Sequence, residues 1–481
     1  MTIKSAPGAS SARKYNFIAL LVAGAAFMEL LDGTVIATAL PQMARSFAVS
    51  PVDLNVGMTA YLLTLGVFIP VSGWIADRFG SRSVFGTAIL IFTVASVLCG
   101  FSQGMWSFTA ARVLQGIGGA MMVPVGRLVV LKTTAKKDLI RAIALIVWPG
   151  LVAPMLGPPL GGFLTTYFTW RWIFFLNLPI GVAGLILNFV LIPKLRAGSK
   201  RPLDFVGFVL SGAAFIFLVY GLDLVGKSQG SGWLPAGLIA AGLVSGWLGL
   251  WHFRSHPTPL LEFGALRLAT FSIATWGGSL FRLAINAVPF LLPLMFQLAF
   301  GLDAFKSGLL VLCVFAGNLG IKPATTPLLR RFGFRTMLLA NGFLTAILIA
   351  ACGFLSPATP VALIALVLFL GGAGRSVQFT SFATIQFADV PEAELSGANT
   401  LSSMIFQLAV GVGIAFGALE LNASAWLRGL PGGNPDLHDF HAAFFVLGVL
   451  TLLATLDALR LDPHAGHVIS GHRRRKSPRT K

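Results

Sequence analysis

Two carboxylates, Glu29 and Asp32, stand three residues apart inside the first long apolar run, with no lysine or arginine near them in sequence. An i, i+3 spacing puts both on one face of a helix. An ionisable side chain at the centre of a membrane helix costs about 2.5–3.5 kcal/mol to insert, so such groups mark sites that bind, relay or pair. Arg112 completes the set from the fourth apolar run. It lies about six residues below the outer end of its run, roughly 9 Å, and Asp32 about eight residues below its own, roughly 12 Å. Similar depths permit an ion pair in which ionised Asp32 compensates Arg112. Burial favours a protonated carboxyl and a nearby guanidinium favours the ionised form. Movement of Arg112 relative to Asp32 could therefore load and release a proton, with Glu29 as the second candidate carrier. The competing reading is a structural pair held between helices.

The elements that position these groups are membrane helices. The chain is 56% hydrophobic and 11% charged, with a mean hydropathy of +0.83, whereas a soluble domain carries about 25% charged residues. Roughly fourteen apolar runs are close to the ~20 residues a helix needs to cross the hydrocarbon. They fall at 15–40, 54–76, 84–103, 106–131, 139–164, 171–193, 204–223, 233–253, 271–299, 307–329, 336–356, 360–386, 396–420 and 440–460. Most of the 35 lysines and arginines collect on alternate connections and at both ends, among them Lys14, Arg78, Arg82, Lys136, Arg201, Arg330 and Arg475. An even number of spans with both termini inside fits that placement. The net charge of +18 is thus a positive-inside signature rather than a nucleic-acid footprint. The three cysteines, Cys99, Cys313 and Cys352, lie in apolar runs without a CxxC pattern and read as packing residues. Ala37-Thr38-Ala39 looks like a signal cleavage site, but the apolar run before it is too long for a signal peptide.

A degenerate repeat divides the chain. Asp77-Arg78-Phe79-Gly80-Ser81-Arg82 follows the second run, and Arg330-Arg331-Phe332-Gly333-Phe334-Arg335 follows the tenth. Two related six-helix halves follow, at 15–195 and 266–462, with a linker at 196–265 carrying helices 7 and 8. Residues 1–14 form a cytoplasmic N-terminus and 463–481 a basic cytoplasmic tail. Its His464, His467 and His472 read as part of a segment drawn to anionic lipid rather than as metal ligands.

These motifs resemble the major facilitator superfamily. Gly73-Trp74-Ile75-Ala76-Asp77-Arg78-Phe79-Gly80-Ser81-Arg82 is similar to its loop motif, and Arg112-Val113-Leu114-Gln115-Gly116-Ile117-Gly118-Gly119-Ala120 to its span-4 arginine motif. Gly150 and Pro154-Met155-Leu156-Gly157-Pro158-Pro159-Leu160-Gly161-Gly162 resemble the antiporter motif of drug exporters. Leu31-Asp32-Gly33-Thr34 and Trp170-Arg171-Trp172-Ile173-Phe174-Phe175-Leu176-Asn177-Leu178-Pro179 fit the fourteen-span drug:proton antiporters of the EmrB/QacA type. The resemblance implies an all-α membrane fold, two six-helix bundles plus two inserted helices, in a bacterial inner membrane. It implies proton-driven export of drugs or small amphipathic compounds by alternating access, with no cofactor and no nucleic-acid partner. A monomer is expected, with accessory efflux components left open. Gly73, Asp77, Arg78, Gly80 and Arg82 would form a gate, Asp77 facing the positive N-terminus of the span that starts near Ser396.

Further polar residues mark a central cavity. Gln115, Arg282, Asn286, Gln297, Asn318, Lys322, Arg375, Gln378, Asn399 and Gln407 lie within spans, where lipid would penalise them. They make that side basic and suggest anionic, zwitterionic or neutral amphipathic substrates. Gly371-Gly372-Ala373-Gly374 lacks the strand and the Gly-Lys-Ser/Thr of a phosphate loop and reads as helix packing. No nucleophile triad, nucleotide loop or metal-ligand set is evident, which excludes the common enzyme classes. Two other functions fit the residues less well: an uptake symporter for a small metabolite, and a membrane sensor or scaffold without flux.

Overall fold

The computed structural model describes residues 9–49, 51–147, 149–194, 201–227, 233–428 and 435–470. The expected tails at 1–8 and 471–481 lie outside them. In chain order the helices are α1 (Ala9–Phe47), α2 (Pro51–Phe79), α3 (Ser81–Phe101), α4 (Met105–Thr133), α5 (Leu139–Val147) and α6 (Pro149–Tyr167). Then come α7 (Trp172–Phe175), α8 (Asn177–Leu191), α9 (Phe205–Lys227), α10 (Trp233–Ser255), α11 (Ala269–Leu294) and α12 (Ala304–Gly320). The last five are α13 (Lys322–Cys352), α14 (Val361–Ile385), α15 (Leu395–Leu427), α16 (Leu437–Leu456) and α17 (His467–Ser470). The described residues contain no strand.

Twelve of these helical stretches are long and apolar enough to cross a membrane, and Lys306–Gly320 is a shorter apolar helix. The run expected at 139–164 is built from α5 and α6. The run expected at 307–329 is α12 continued into the first turns of α13, with a break at Ile321. The rest of α13, beyond Gly333, is the run expected at 336–356.

The repeat is visible in the backbone. Gly80, between α2 and α3, has φ +86°, and Gly333, within α13, has φ +76°. Both are the glycine of the repeated motif, and both adopt a conformation that L side chains rarely reach.

Close helix approach rests on glycine faces. A Cβ at Gly116 would press on the Tyr61 carbonyl of α2, and one at Gly118 on the Phe92 amide of α3. One motif on α4 therefore seats two neighbours. In the second half, a Cβ at Gly317 would strike the Phe369 carbonyl and one at Gly372 the Val314 carbonyl, so α12 and α14 meet backbone to backbone. Within the Gly371–Gly374 stretch, Gly372 and Gly374 carry the packing role expected of it, whereas Gly371 faces open space. Cys99 and Cys352 are buried and all three cysteines are free, as packing residues would be.

Helices α9 and α10 pack on one another as a hairpin. Phe215 of α9 is buried where a Cβ at Gly66 of α2 would collide with its ring. Helix α10 packs mainly on α9 and leaves Trp233, Trp247 and Trp251 exposed, an apolar face suited to lipid.

Candidate functional site

Five helices of the first half converge on Asp32. Arg112 of α4 donates from Nη1 to Asp32 Oδ2 at 2.5 Å. The same nitrogen donates to Gln115 Oε1 at 2.7 Å. Gln115 Nε2 donates to Asp32 Oδ1 at 3.0 Å and to Ser96 Oγ of α3 at 3.1 Å. Asn177, the first residue of α8, donates from Nδ2 to Asp32 Oδ1 at 3.2 Å and to Ser96 Oγ at 2.8 Å. From α2, the Tyr61 ring lies under the guanidinium at 4.1 Å. Asp32 is 2% exposed, Arg112 1% and Gln115 0%. Both carboxylate oxygens of Asp32 are thus engaged by charge-assisted hydrogen bonds, which are roughly twice as strong as neutral ones.

Glu29 is placed differently. It is half-buried, one turn along α1, and its Oε2 is buried without a hydrogen-bond partner. A Cβ at Gly119 would lie 3.3 Å from Tyr61 Oη and 3.6 Å from Glu29 Cδ, so the absent side chain leaves room for both groups. Tyr61 Oη is itself unpartnered.

The span-5 motif touches the same helix. A Cβ at Gly157 would meet Thr34 Oγ1, and Thr34 donates to the Ala153 carbonyl at 3.3 Å. Gly161 is buried and Gly162 half-buried along the same α6. Gly150, Pro154 and Pro158 belong to α6 by their backbone.

The gate motif makes contacts within its own half and with the start of α15. Asp77 pairs with Lys132 of α4 at 3.3 Å, inside its own half. The start of α15 is met by Gly73 instead. Its carbonyl accepts from Ser396 Oγ at 3.4 Å, and a Cβ there would strike Thr400. Arg78 lies over the Trp74 ring and donates to the Arg201 carbonyl at 3.5 Å, while Arg82 donates to the Phe189 carbonyl. Lys132 stands in the last turn of α4, which brings its full charge beside Asp77.

The residues expected to share one cavity separate into groups. Gln115 belongs to the Asp32 network. Gln378 donates to the Leu338 carbonyl at 3.0 Å and accepts from Asn341 Nδ2 at 2.9 Å, tying α14 to α13. Asn399 accepts from Arg127 Nε at 2.7 Å and donates to the Pro124 carbonyl at 2.9 Å. Gln297 is exposed. Lys322 donates to Thr380 Oγ1 at 2.9 Å. Arg375 is half-buried beside Cys352, Gly371 and Gly372 in a small cavity. Arg282 is 4% exposed and held between the Phe379 and Phe406 rings at 5.5 and 5.4 Å. Asn286 Nδ2 and both amide atoms of Asn318 are buried without partners, and Gln407 is half-buried.

Three contributors carried no assigned role in the sequence. Asn177 lies in the Trp170–Pro179 motif. Arg127 was visible as a cation within a span, but its partners are some 270 residues away. Glu420 ends the expected thirteenth run, and both its carboxylate oxygens are buried without a partner; a carboxylate at that boundary reads as a loop residue.

Among the described residues, the hydrogen bonds between the two halves all lie at one end. They join Arg127 to Asn399, Ser402 and Ser403, Asn399 to Pro124, Ser396 to Gly73, and Lys136 to Ala388. This is the end that carries the Arg78–Arg82 loop.

The family description Major Facilitator Superfamily matches residues 22–414 and again 276–481. The chain belongs to the major facilitator superfamily. A Klebsiella pneumoniae relative provisionally named multidrug resistance protein MdtD is 38% identical over 402 residues, covering 83% of this chain and 85% of that protein. Proteins of the same name from Cronobacter sakazakii and Salmonella newport are 36% and 34% identical, covering 91% and 94% of this chain and 92% and 97% of their own lengths. Among solved structures, the proton:xylose symporter XylE aligns with a TM-score of 0.64 at 16% identity, over 96% of this chain and 98% of that one. The human organic anion transporter MFSD10 aligns with a TM-score of 0.60 at 16% identity, over 94% of this chain and all of its own. These likenesses establish the fold. As a superfamily member this chain is a multi-pass membrane transporter and not an enzyme.

Proposed function

We propose that this transporter is a proton-coupled antiporter of the fourteen-span EmrB/QacA type, exporting drugs or small amphipathic compounds from the bacterial cytoplasm across the inner membrane. The observation that carries the reading is the Asp32–Arg112 pair beside an unpartnered Glu29. Counting α5 with α6, and α12 with the first turns of α13, brings the crossings to fourteen. That even number leaves both termini on the cytoplasmic side, the side of the Arg78–Arg82 loop. The multidrug name of the relatives supports export over uptake.

The division of labour follows from hydrogen bonding. Both oxygens of Asp32 are held by donors, Oδ2 by Arg112 and Oδ1 by Gln115 and Asn177. Glu29 has a free oxygen and a phenol beside it. A proton taken up at Glu29 reaches Asp32 only when Arg112 and Gln115 withdraw, and that withdrawal couples protonation to rocking of the halves. The driving force is the proton gradient, with no cofactor. The basic positions Arg282, Lys322 and Arg375 favour anionic, zwitterionic or neutral amphiphiles, and the transporter acts as a monomer in the bilayer.

Proteoliposomes with an imposed pH gradient test this. Wild type should move substrate against its gradient, whereas Asp32→Asn and Glu29→Gln/Asp32→Asn should insert yet show no gradient-driven movement. Full pH-driven transport by the double variant would overturn the proposal.

A further inference from the structure

Helix α10 ends beside the start of α9, and three metal-ligating side chains meet there. Asp204 precedes α9, His252 occupies the last turn of α10, and His256 follows it. The His256 amide donates to the His252 carbonyl at 2.9 Å, so the helical turn continues and carries both rings on one face. Their centroids are 5.0 Å apart. One ligand atom from each of the three residues lies within 4.8 Å of the others. His252 Nε2 already stands 2.8 Å from Asp204 Oδ1. The Asp204 side chain is 1% exposed and that of His252 20%, so the carboxylate is buried and the imidazole edge is reachable from solvent.

We propose that Asp204, His252 and His256 form a surface site for a borderline transition-metal ion such as Zn2+, independent of the transport reaction. Two imidazoles and one carboxylate are a ligand set that suits Zn2+, and a water can fill the fourth position. At bonds of about 2.0–2.2 Å the donors of a tetrahedral site are about 3.3 Å apart. The three donors therefore close by small rotations of the two rings. His252 binds through Nε2 and gives up to solvent the proton it shares with Asp204. His256 binds through Nδ1, exchanging for the metal the bond that the Thr258 amide donates at 3.2 Å. Asp204 is anchored independently by the Gly207 amide at 2.8 Å and the Leu260 amide at 3.1 Å, which fixes its carboxylate as a second shell would. The bound ion braces the start of α9 against the end of α10, the two ends of that hairpin.

The test uses the full chain without a polyhistidine tag, stripped with a chelator and titrated with Zn2+ alone. Binding is followed by calorimetry and by the thermal unfolding midpoint. Wild type should bind one Zn2+ at this site and unfold at a higher temperature. His256→Ala retains the Asp204–His252 hydrogen bond and should fold, yet bind at least tenfold more weakly and lose the midpoint shift. A variant with His464, His467 and His472 all changed to Ala should keep both. No Zn2+ binding by wild type, unchanged affinity in His256→Ala, or loss only in the tail variant would each overturn the assignment.

Discussion

Arg127 and Asn399 clasp one another's helices. The Arg127 guanidinium of α4 donates to Asn399 Oδ1 at 2.7 Å, and Asn399 Nδ2 of α15 donates back to the Pro124 carbonyl of α4 at 2.9 Å. Ser403 accepts from the same guanidinium at 2.6 Å. The acceptors are all neutral. A carboxylate would bind the cation more tightly, but under the alternating access proposed above this contact would break once per transport cycle. Neutral oxygens satisfy the buried cation and still let the halves part.

The two ends of this clasp are therefore unequal. Asn399→Leu leaves a buried cation with a lost acceptor and should destabilise the closed end by about 2–3 kcal/mol; Arg127→Met removes the charge itself and should cost less. Thiol labelling of Ser402→Cys from the cytoplasmic side measures this. Labelling should rise in both backgrounds, and further with Asn399→Leu. Equal protection in all three would show that the clasp does not hold that end shut.

The Asp32–Arg112 pair predicts a non-additive pattern. Arg112→Ala strands a buried carboxylate and should cost about 3–5 kcal/mol. Asp32→Asn keeps acceptor capacity for Arg112 but strands its charge. Asp32→Asn/Arg112→Gln removes both charges and should unfold at a higher temperature than Arg112→Ala, while remaining dead in coupled transport. Additive losses in the unfolding midpoint would argue against a direct pair.

Much of this site was legible in the sequence because its constraints are one-dimensional. The depth of Asp32 in α1 and of Arg112 in α4 follows from a rise of about 1.5 Å per residue, and the two residues do meet. The repeated glycine of the two loops is a local backbone demand, and Gly80 and Gly333 both show it. Contacts between halves were less legible. The sequence could not choose Lys132 over the α15 terminus as the partner of Asp77, since both reach the same surface. Nor could polarity alone separate Gln378 and Asn399, each hydrogen-bonded to protein, from Arg282, which is held between the Phe379 and Phe406 rings. Element boundaries were less legible still: the run expected at 139–164 is divided between α5 and α6, and the run expected at 307–329 breaks at Ile321 between α12 and α13.

Gly157 and Thr34 should be coupled. Two residues beyond Asp32, Thr34 fills the space a side chain at position 157 would need. Gly157→Ala should push α6 from α1 and lower transport about tenfold, a loss of about 1.4 kcal/mol at the rate-limiting step. Adding Thr34→Ala should restore most of it, as measured by efflux rate in whole cells. Failure of the second change to rescue would mean that Gly157 serves backbone distortion rather than contact.

An acid-sensitive contact lies between α15 and α16. Asp436 caps α16, accepting from the His438 and Asp439 amides, and pairs with Arg428. Burial pushes its carboxyl upward, but the Asp439 amide and Arg428 outweigh that and hold it below the usual aspartate range. A lowered folded value stabilises the folded state above the ordinary aspartate pKa of about 3.9, and the contribution disappears as pH falls through the folded value. The pair is solvent-exposed, so the effect is small and screened by salt. Unfolding midpoints of wild type and Asp436→Asn should therefore differ at pH 6 and converge as the pH falls through the lowered folded value, with a smaller difference at high salt.

Arg282 offers a test of the proposed substrate preference. It is buried between Phe379 and Phe406, no carboxylate pairs with it among the described residues, and Arg127 adds like charge nearby. A substrate anion would relieve both the desolvation of the guanidinium and the repulsion, and the two rings would hold an attached apolar body. Glu420 lies toward the opposite end of α15 and offers a separate point for a cationic group. Matched anionic and cationic dyes resolve the two. Arg282→Ala should slow efflux of the anion about tenfold or more, equivalent to about 1.4 kcal/mol of lost charge-assisted contact, and leave the cation unchanged. Glu420→Gln should do the reverse for the cation alone. If the cation is the faster substrate in wild type and Arg282→Ala alters neither rate, the guanidinium is a structural cation held by its rings and substrate charge is read elsewhere.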